Sequence, residues 1–315
     1  MRRTGLALLL VAVLALAGCG DDGGAGEVGD LVQGRLGDLD GTSYALLVPN
    51  GRLTVVVTDG QETLGATEAA DGQERDAPAG TEWVALDWRL EPGVDLDALQ
   101  RTLMEDAEQR TTLALVTGDG TVDLGDAPGS STTPGDTRTS GTVWVAVDED
   151  AAPVVEVAFD DLTTSLDTGS GEVSGDMAAA LGDLEEPTTG DCAPLQGPGG
   201  AADVACAYVV TRVPYLAGRG WSDEGWTVAQ VETRADEFGR AGATYAVQAV
   251  RDASTMEGAD GSTVVDERLD SLVARLVAAG APPRLEVRRE LTGVRTDGRG
   301  PDEATLTVSG GVEIG

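Results

Sequence analysis

Short runs in which apolar and polar residues alternate recur along this chain, and they constrain its fold more than any other feature. In residues 82–90 one face of an extended strand would carry Val84, Leu86, Trp88 and Leu90. A period of two predicts a half-buried β-strand. Similar runs, separated by turn signals, occupy residues 44–48, 53–58, 113–116, 142–148 and 154–159. The first half of the chain is therefore predicted to be mostly β.

A second strand-bearing region follows residues 185–190, which have the composition of a linker. Its predicted strands are residues 204–213, 226–233, 244–250, 285–291 and 304–314. We expect two tandem antiparallel β-sandwich domains, at residues 31–186 and 187–315, with one or two short helices. Each is long enough to bury a core of its own.

Two segments depart from the strand pattern. In residues 95–110 the apolar side chains have helical spacing, and Asp95 is the predicted N-cap. Residues 262–280 fit a helix ending at Gly280, but residues 271–277 also fit a strand. Residues 126–141 are rich in Ser, Thr, Pro and Gly and are predicted to form a mobile loop.

A faint internal repeat connects the two halves. Residues 80–85 resemble residues 224–229, and residues 153–157 resemble residues 283–287. The two segments of the first match are farther apart in the chain than those of the second match. The loop at residues 126–141, which lies between residues 85 and 153, would account for this difference. The similarity indicates either a duplicated domain or a chance likeness between two β-rich segments.

The chain contains no histidine, and all of its 21 basic residues are arginine. Serine–histidine–acid triads, cysteine–histidine dyads, imidazole zinc sites and serine–lysine pairs each need a group that the sequence lacks. A pair of carboxylates could still catalyse glycoside hydrolysis. With 55 acidic residues, however, no particular pair can be chosen from the sequence.

The formal net charge is −34. Such a charge repels phosphate backbones and anionic lipid head groups, so nucleic acid is not an expected partner. It also opposes contact between the folded body and a membrane surface. Attachment to a membrane would have to come from an anchor.

The first nineteen residues resemble the signal of exported bacterial lipoproteins. Arg2 and Arg3 precede the apolar run of residues 6–16, and Leu16-Ala17-Gly18-Cys19 matches the lipobox. The resemblance implies cleavage after residue 18, lipidation of Cys19, and a location on the outer side of the cell membrane. Residues 19–30, rich in Gly and Asp, would then form a flexible tether.

Cys192 and Cys206 are the other two cysteines. In an oxidising compartment they are expected to form a disulfide, and closing a loop of this size contributes about 3 kcal/mol in the chain-entropy model. A redox or metal-binding pair is the alternative.

Three aromatic side chains, Tyr215, Trp221 and Trp226, lie close together in a Gly-rich stretch. They are candidate contacts for a sugar or peptide, or else they cover the edge of the core. Tryptophans 83, 88 and 144 are predicted to lie in the core. Acidic turns could offer calcium ligands, or they are simply solvated turns; they hold Asp119, Asp123 and Asp126, and Asp148, Glu149 and Asp150.

Residues 80–90, 142–159 and 225–233 resemble the telokin-like, immunoglobulin-type domains of exported lipoproteins from GC-rich bacteria. The resemblance implies immunoglobulin-like sandwiches that serve as binding or structural modules. We expect a non-catalytic, lipid-anchored surface protein that binds an envelope protein or glycan and needs no cofactor or metal. The alternatives are a carboxylate-dependent enzyme acting on envelope glycans and a structural spacer.

Overall fold

The computed structural model describes residues 27–37, 39–104, 111–117, 120–126, 140–149, 151–182 and 184–314. Cys19, the signal segment and residues 19–26 of the expected tether lie outside the described residues. So do residues 127–139 of the predicted loop. The last two residues before Leu31, Gly29 and Asp30, hydrogen bond with the backbone of Ala146, so the backbone is already tied to a strand there.

The first half of the chain forms a β-sandwich. Two five-stranded antiparallel sheets face each other, in the orders β1-β9-β6-β3-β2 and β12-β11-β10-β7-β8, and β4 pairs with β5 outside them. Two short helices accompany these sheets. The elements are β1 (Leu31–Gln33), β2 (Thr42–Val48), β3 (Gly51–Val57), β4 (Thr63–Leu64), β5 (Arg75–Asp76), β6 (Thr81–Pro92), α1 (Ala98–Met104), β7 (Thr111–Thr117), β8 (Gly120–Asp126), β9 (Ser140–Asp148), β10 (Val154–Phe159), β11 (Leu162–Asp167), β12 (Val173–Ser174) and α2 (Asp176–Gly182).

The second half forms another antiparallel sandwich. Its sheets have the orders β13-β15-β16-β21-β20 and β14-β17-β18-β22-β19, with β23 paired to β22. The strands are β13 (Thr188–Asp191), β14 (Gly200–Ala202), β15 (Ala205–Leu216), β16 (Gly220–Arg234), β17 (Glu237–Arg240), β18 (Ala243–Asp252), β19 (Thr255–Met256), β20 (Ser262–Glu267), β21 (Ser271–Ala279), β22 (Arg284–Gly298) and β23 (Glu303–Glu313). The predicted fold class, two mostly β sandwich domains with short helices, is confirmed.

Each sandwich buries one apolar cluster between its two sheets. In the first domain, β3 and β6 contribute Leu53 and Leu86, and β10 on the facing sheet contributes Val157. In the second, Val231 of β16 and Leu291 of β22 are packed in the same way. Alternation along these strands places every second side chain in the core, which is the pattern that the sequence predicted.

The central strands β6 and β9 are also covered on their outer face. Trp83 and Trp144 are buried there with Leu64 and Ala69, beneath the segment that contains β4 and β5. Trp88 lies in the main core. All three tryptophans are therefore buried, as predicted, but in two separate clusters.

Seven strands correspond between the domains in chain order and in their neighbours. In the first domain β2, β3, β6 and β9 are adjacent in one sheet, and β7, β10 and β11 in the other. In the second, β13, β15, β16 and β21 are adjacent, and so are β18, β22 and β23. The two matched segments of the faint repeat fall on β6 and β16, and on β10 and β22. The arrangement supports the duplication interpretation of that repeat.

This strand order differs from the immunoglobulin arrangement. An immunoglobulin constant domain places the first, second, fourth and fifth of seven strands in one sheet. Here the first, second, third and fifth share a sheet, because β3 and β6 pair continuously from Gly51 and Pro92 to Val57 and Leu86.

The two helical predictions have different outcomes. Helix α1 lies within residues 95–110, but Asp95 is not its N-cap: the Asp97 Oδ1 accepts hydrogen bonds from the amides of Leu99 and Gln100 at 2.7 and 2.9 Å. The Gln100 side chain accepts from the Asp97 amide, which completes a capping box. Asp95 instead has a φ of 66° and pairs with Arg52. Residues 105–110 lie outside the described residues.

The ambiguous segment at residues 262–280 forms the hairpin of β20 and β21 rather than a helix. Leu272, Ala274, Leu276 and Ala278 alternate into the core from β21. Helix α2 was not predicted, because its seven residues are too few to show a helical period.

Candidate functional site

The hairpin of β15 and β16 joins the two domains. The two strands pair from Ala205 and Arg234 to Val213 and Trp226, and again at Tyr215 and Trp221. The tip of this hairpin belongs to the second domain by its sheet, yet Tyr215 and Trp221 pack against the core of the first domain. The tip of a hairpin from the second domain is therefore part of the hydrophobic core of the first domain.

An acidic bulge interrupts the hairpin just before this tip. Between the two paired stretches β15 has only Pro214, whereas β16 has the four residues 222–225, Ser-Asp-Glu-Gly. We call residues 222–225 the acidic bulge. Proline suits the opposite position because it has no amide hydrogen to offer to the ladder. Gly225 has a φ of 72°, and its carbonyl accepts a hydrogen bond from the Gly280 amide.

Aromatic contacts fix the hairpin tip to the first domain. The Phe159 ring of β10 meets the Tyr215 and Trp221 rings edge-on, with centroid distances of 5.0 and 6.5 Å. Trp221 Nε1 donates a hydrogen bond to the Phe159 carbonyl at 3.1 Å. Edge-to-face pairs of this kind contribute about 0.5–1.5 kcal/mol each beyond burial. We call these three residues the aromatic joint.

Tyr215 is only 3 % exposed. Burial, with a smaller contribution from Asp160, raises the pKa of its hydroxyl to about 12. Within the described residues that hydroxyl has no hydrogen-bond partner. Tyr215 is thus a buried part of the joint and is not accessible to a ligand.

Helix α1 supports the same hairpin from the side. Leu99 and Leu103 pack against Val213, Leu216 and Val228 in a separate apolar cluster. The capping box at Asp97 fixes where this helix starts, and so which of its side chains face the hairpin.

A groove of about 720 Å³ lies where the domains meet. One wall is formed by α2 and the residues after it, including Asp176 and Glu185. The other wall is formed by Arg212, Trp221 and the acidic bulge. Its size is within the range of about 300–1,000 Å³ that is typical of ligand sites.

Carboxylates dominate the charge of this groove. Four of them line it, Asp176, Glu185, Asp223 and Glu224, against the single guanidinium of Arg212. Arg212 is already engaged: its Nη1 lies 3.7 Å from the Glu185 carboxylate, and its Nη2 donates to the Glu224 carbonyl at 3.1 Å. Asp176, Asp223 and Glu224 form no ion pair with any described cation.

The three aromatic candidates thus have different positions. Only Trp221 lines the groove. Trp226 donates its Nε1 hydrogen to the Gly220 carbonyl at 2.9 Å, and the Arg219 guanidinium stacks 5.4 Å from its ring centroid. The sequence analysis missed the acidic residues of the groove, although Pro214 and the Ser-Asp-Glu-Gly stretch signal the bulge.

The predicted disulfide between Cys192 and Cys206 is present. It joins the chain just after β13 to β15, and the Cys192 amide donates to the Cys206 carbonyl at 3.0 Å. Its position beside two paired strands indicates a structural role.

The acidic turns proposed as calcium sites are only partly described. Asp119 and Asp150 lie outside the described residues, as does the side chain of Asp126. The Asp123 carboxylate accepts from the Gly125 amide at 2.8 Å. Within the described part of the chain, no group of three or more potential ligands is placed to hold a metal ion. Among these residues there is also no helix long and apolar enough to cross a membrane.

One further charged pair lies inside the second domain. Arg289 is fully buried, and its guanidinium pairs with the almost fully buried Asp252 and donates to Thr233 Oγ1 at 2.9 Å. Burial lowers the pKa of Arg289 to about 10. This pair lies away from the groove, and we interpret it as structural.

No protein family, curated protein or solved structure matches this chain.

Proposed function

We propose that this chain is a non-catalytic binding protein, anchored outside the cytoplasm by lipid on Cys19, and that its ligand lies in the groove between its domains. The observation that carries the proposal is the groove itself, with one wall from each domain and an indole in its lining. The aromatic joint supports it, because a site shared by two domains needs a fixed domain arrangement to be preorganised.

The chain's chemistry supports binding rather than catalysis. It has no histidine and no lysine, so most nucleophilic and acid–base designs lack a necessary group. The expected partner is a protein or glycan of the cell envelope. The anchor would hold the body at the membrane surface, and the acidic body would stay off anionic lipid.

Replacing the lipidated residue tests the anchor. In Cys19→Ala the protein should be released from membranes or remain unprocessed, because the acyl chains supply the attachment. Membrane fractionation and mass spectrometry of the N-terminus measure this. The anchor would be contradicted if the wild-type protein had an unmodified N-terminus and the Cys19→Ala variant associated with membranes as the wild-type protein does.

Capture from cross-linked envelopes tests the binding function. The full-length protein should co-purify with a saturable partner, and the double variant Asp223→Asn, Glu224→Gln should lose it. The double variant Asp203→Asn, Glu267→Gln, which removes the same charge from exposed positions outside the groove, serves as the matched control. Equal recovery with both variants would exclude the groove as the site.

A further inference from the structure

The charge of the groove identifies the class of ligand. From the geometry we infer that the groove binds a basic peptide segment, with arginine or lysine side chains between the acidic bulge and helix α2. This inference rests on the proposed function, and it goes further by naming the ligand chemistry. The first argument is charge complementarity: three carboxylates, those of Asp176, Asp223 and Glu224, have no described cationic partner.

The spacing of these carboxylates favours an extended cation over a metal ion. Asp176 is on the wall from the first domain, whereas Asp223 and Glu224 are on the wall from the second. No three potential ligands converge on one point within the described residues. Because a divalent ion needs several oxygens around it, these charges suit several separate cationic groups instead.

Trp221 supplies a second element of recognition. Indole rings attract guanidinium and ammonium groups through their π-face. The same hairpin already contains such a contact between Arg219 and Trp226. A groove lined by both an indole and carboxylates therefore suits an arginine or lysine side chain better than an acidic or uncharged one.

The groove also limits what else can occupy it. Nucleic acid and anionic lipid are repelled by the groove and by the net charge of −34. The volume of about 720 Å³ admits a short segment of chain but not a folded domain. A peptide segment of a partner protein fits both restrictions.

A direct titration tests the ligand class. The detergent-solubilised full-length protein is titrated into fluorescein-labelled hexa-arginine, with labelled hexa-glutamate as the opposite-charge probe, and anisotropy is recorded. We expect saturable binding of hexa-arginine alone, weakening as salt rises because the contacts are electrostatic. The variant Asp223→Asn, Glu224→Gln should weaken it about three- to tenfold.

The matched variant distinguishes the groove from the general acidity of the surface. Asp203→Asn, Glu267→Gln changes the net charge equally and should leave hexa-arginine binding within about twofold, since neither residue lines the groove and salt screens exposed charges. Equal weakening by both variants, or no binding of hexa-arginine, would overturn the inference. If hexa-arginine fails while envelope capture still depends on the acidic bulge, the proposed function stands and only the ligand class is wrong.

Discussion

At the scale of single residues, the buried pair of Arg289 and Asp252 has a large consequence for stability. Arg289 and Asp252 are partners in the register of β22 and β18, and the neighbouring register pair, Glu290 with Arg251, is also oppositely charged but exposed. A buried charge whose partner is removed is strongly destabilising, whereas an exposed pair contributes little. The two adjacent pairs therefore allow the effect of burial on an ion pair to be compared at neighbouring positions.

The variant Asp252→Asn should lower the free energy of unfolding by about 3–5 kcal/mol, because Arg289 would remain buried without a counter-charge. Glu290→Gln, one position along the same strand pair, should change it by at most about 1 kcal/mol. Urea unfolding measures both. Equal effects of the two variants would contradict the assignment of a buried ion pair.

The raised pKa of Tyr215 implies that the stability of the aromatic joint depends on pH in the alkaline range. Its pKa is raised from 10 to about 12, so the folded state keeps the proton more tightly than the unfolded state does. The contribution of the protonated Tyr215 hydroxyl to the free energy of unfolding is fully present below pH 10. It is lost as the pH rises towards 12, because unfolding then releases a proton from this hydroxyl.

In Tyr215→Phe this part of the alkaline decline should disappear. Stability at neutral pH should be unchanged or slightly higher, since the hydroxyl has no described partner. Urea midpoints of both proteins between pH 8 and 12 measure the effect. Parallel declines in the two proteins would show that Tyr215 does not titrate as proposed.

The sequence revealed some of these residues and not others. The cysteine pair was predictable because Cys192 and Cys206 are the only two cysteines after the expected signal segment, so only one pairing is available to them. The role of Tyr215 was not, because Phe159 is 56 positions earlier in the chain and belongs to the other domain. Arg289 was not distinguishable from the other arginines, since its burial follows from a register that only the folded sheets define.

At the scale of elements, the start of helix α1 determines how the hairpin is supported. The capping box of Asp97 and Gln100 satisfies amides that the helix itself leaves without partners. Leu99 and Leu103 follow directly and cover Val213. The capping box therefore helps to hold Leu99 and Leu103 against the second domain, and that packing in turn helps to hold the first turn of the helix.

Asp97→Ala should lower the free energy of unfolding by about 1 kcal/mol through loss of the cap. Asp95→Gly should lower the free energy of unfolding by less than this. The exposed ion pair with Arg52 contributes little, and glycine adopts a φ of 66° without strain. Thermal unfolding compares the two variants. A larger loss of stability in Asp95→Gly than in Asp97→Ala would indicate that Asp95 is the N-cap after all.

Alternation was a good guide to the strands but a poor guide to their ends. The run predicted at residues 82–90 lies within β6, which extends from Thr81 to Pro92. The segment at residues 262–280 stayed ambiguous because its leucines and valines fit both periods. Pairing of β21 with β16 selects the strand, and that information is absent from the local sequence.

At the scale of the whole molecule, the chain forms two sandwiches with corresponding strand orders, and the tip of one hairpin of the second sandwich packs into the first. The strand pattern could predict two sandwiches, because each half repeats the same alternation. It could not predict the groove, since its walls come from residues about 40 positions apart that meet only when the hairpin tip is docked. The groove is a property of the domain arrangement rather than of either domain.

The central claim is that one ligand occupies this groove and touches both of its walls. The most direct measurement is photo-cross-linking in intact cells, with a photoreactive residue at position 176, 223 or, as the control, 267. We predict the same partner peptide from positions 176 and 223 and none from position 267. A partner captured from position 267, or different partners from the two walls, would contradict the claim.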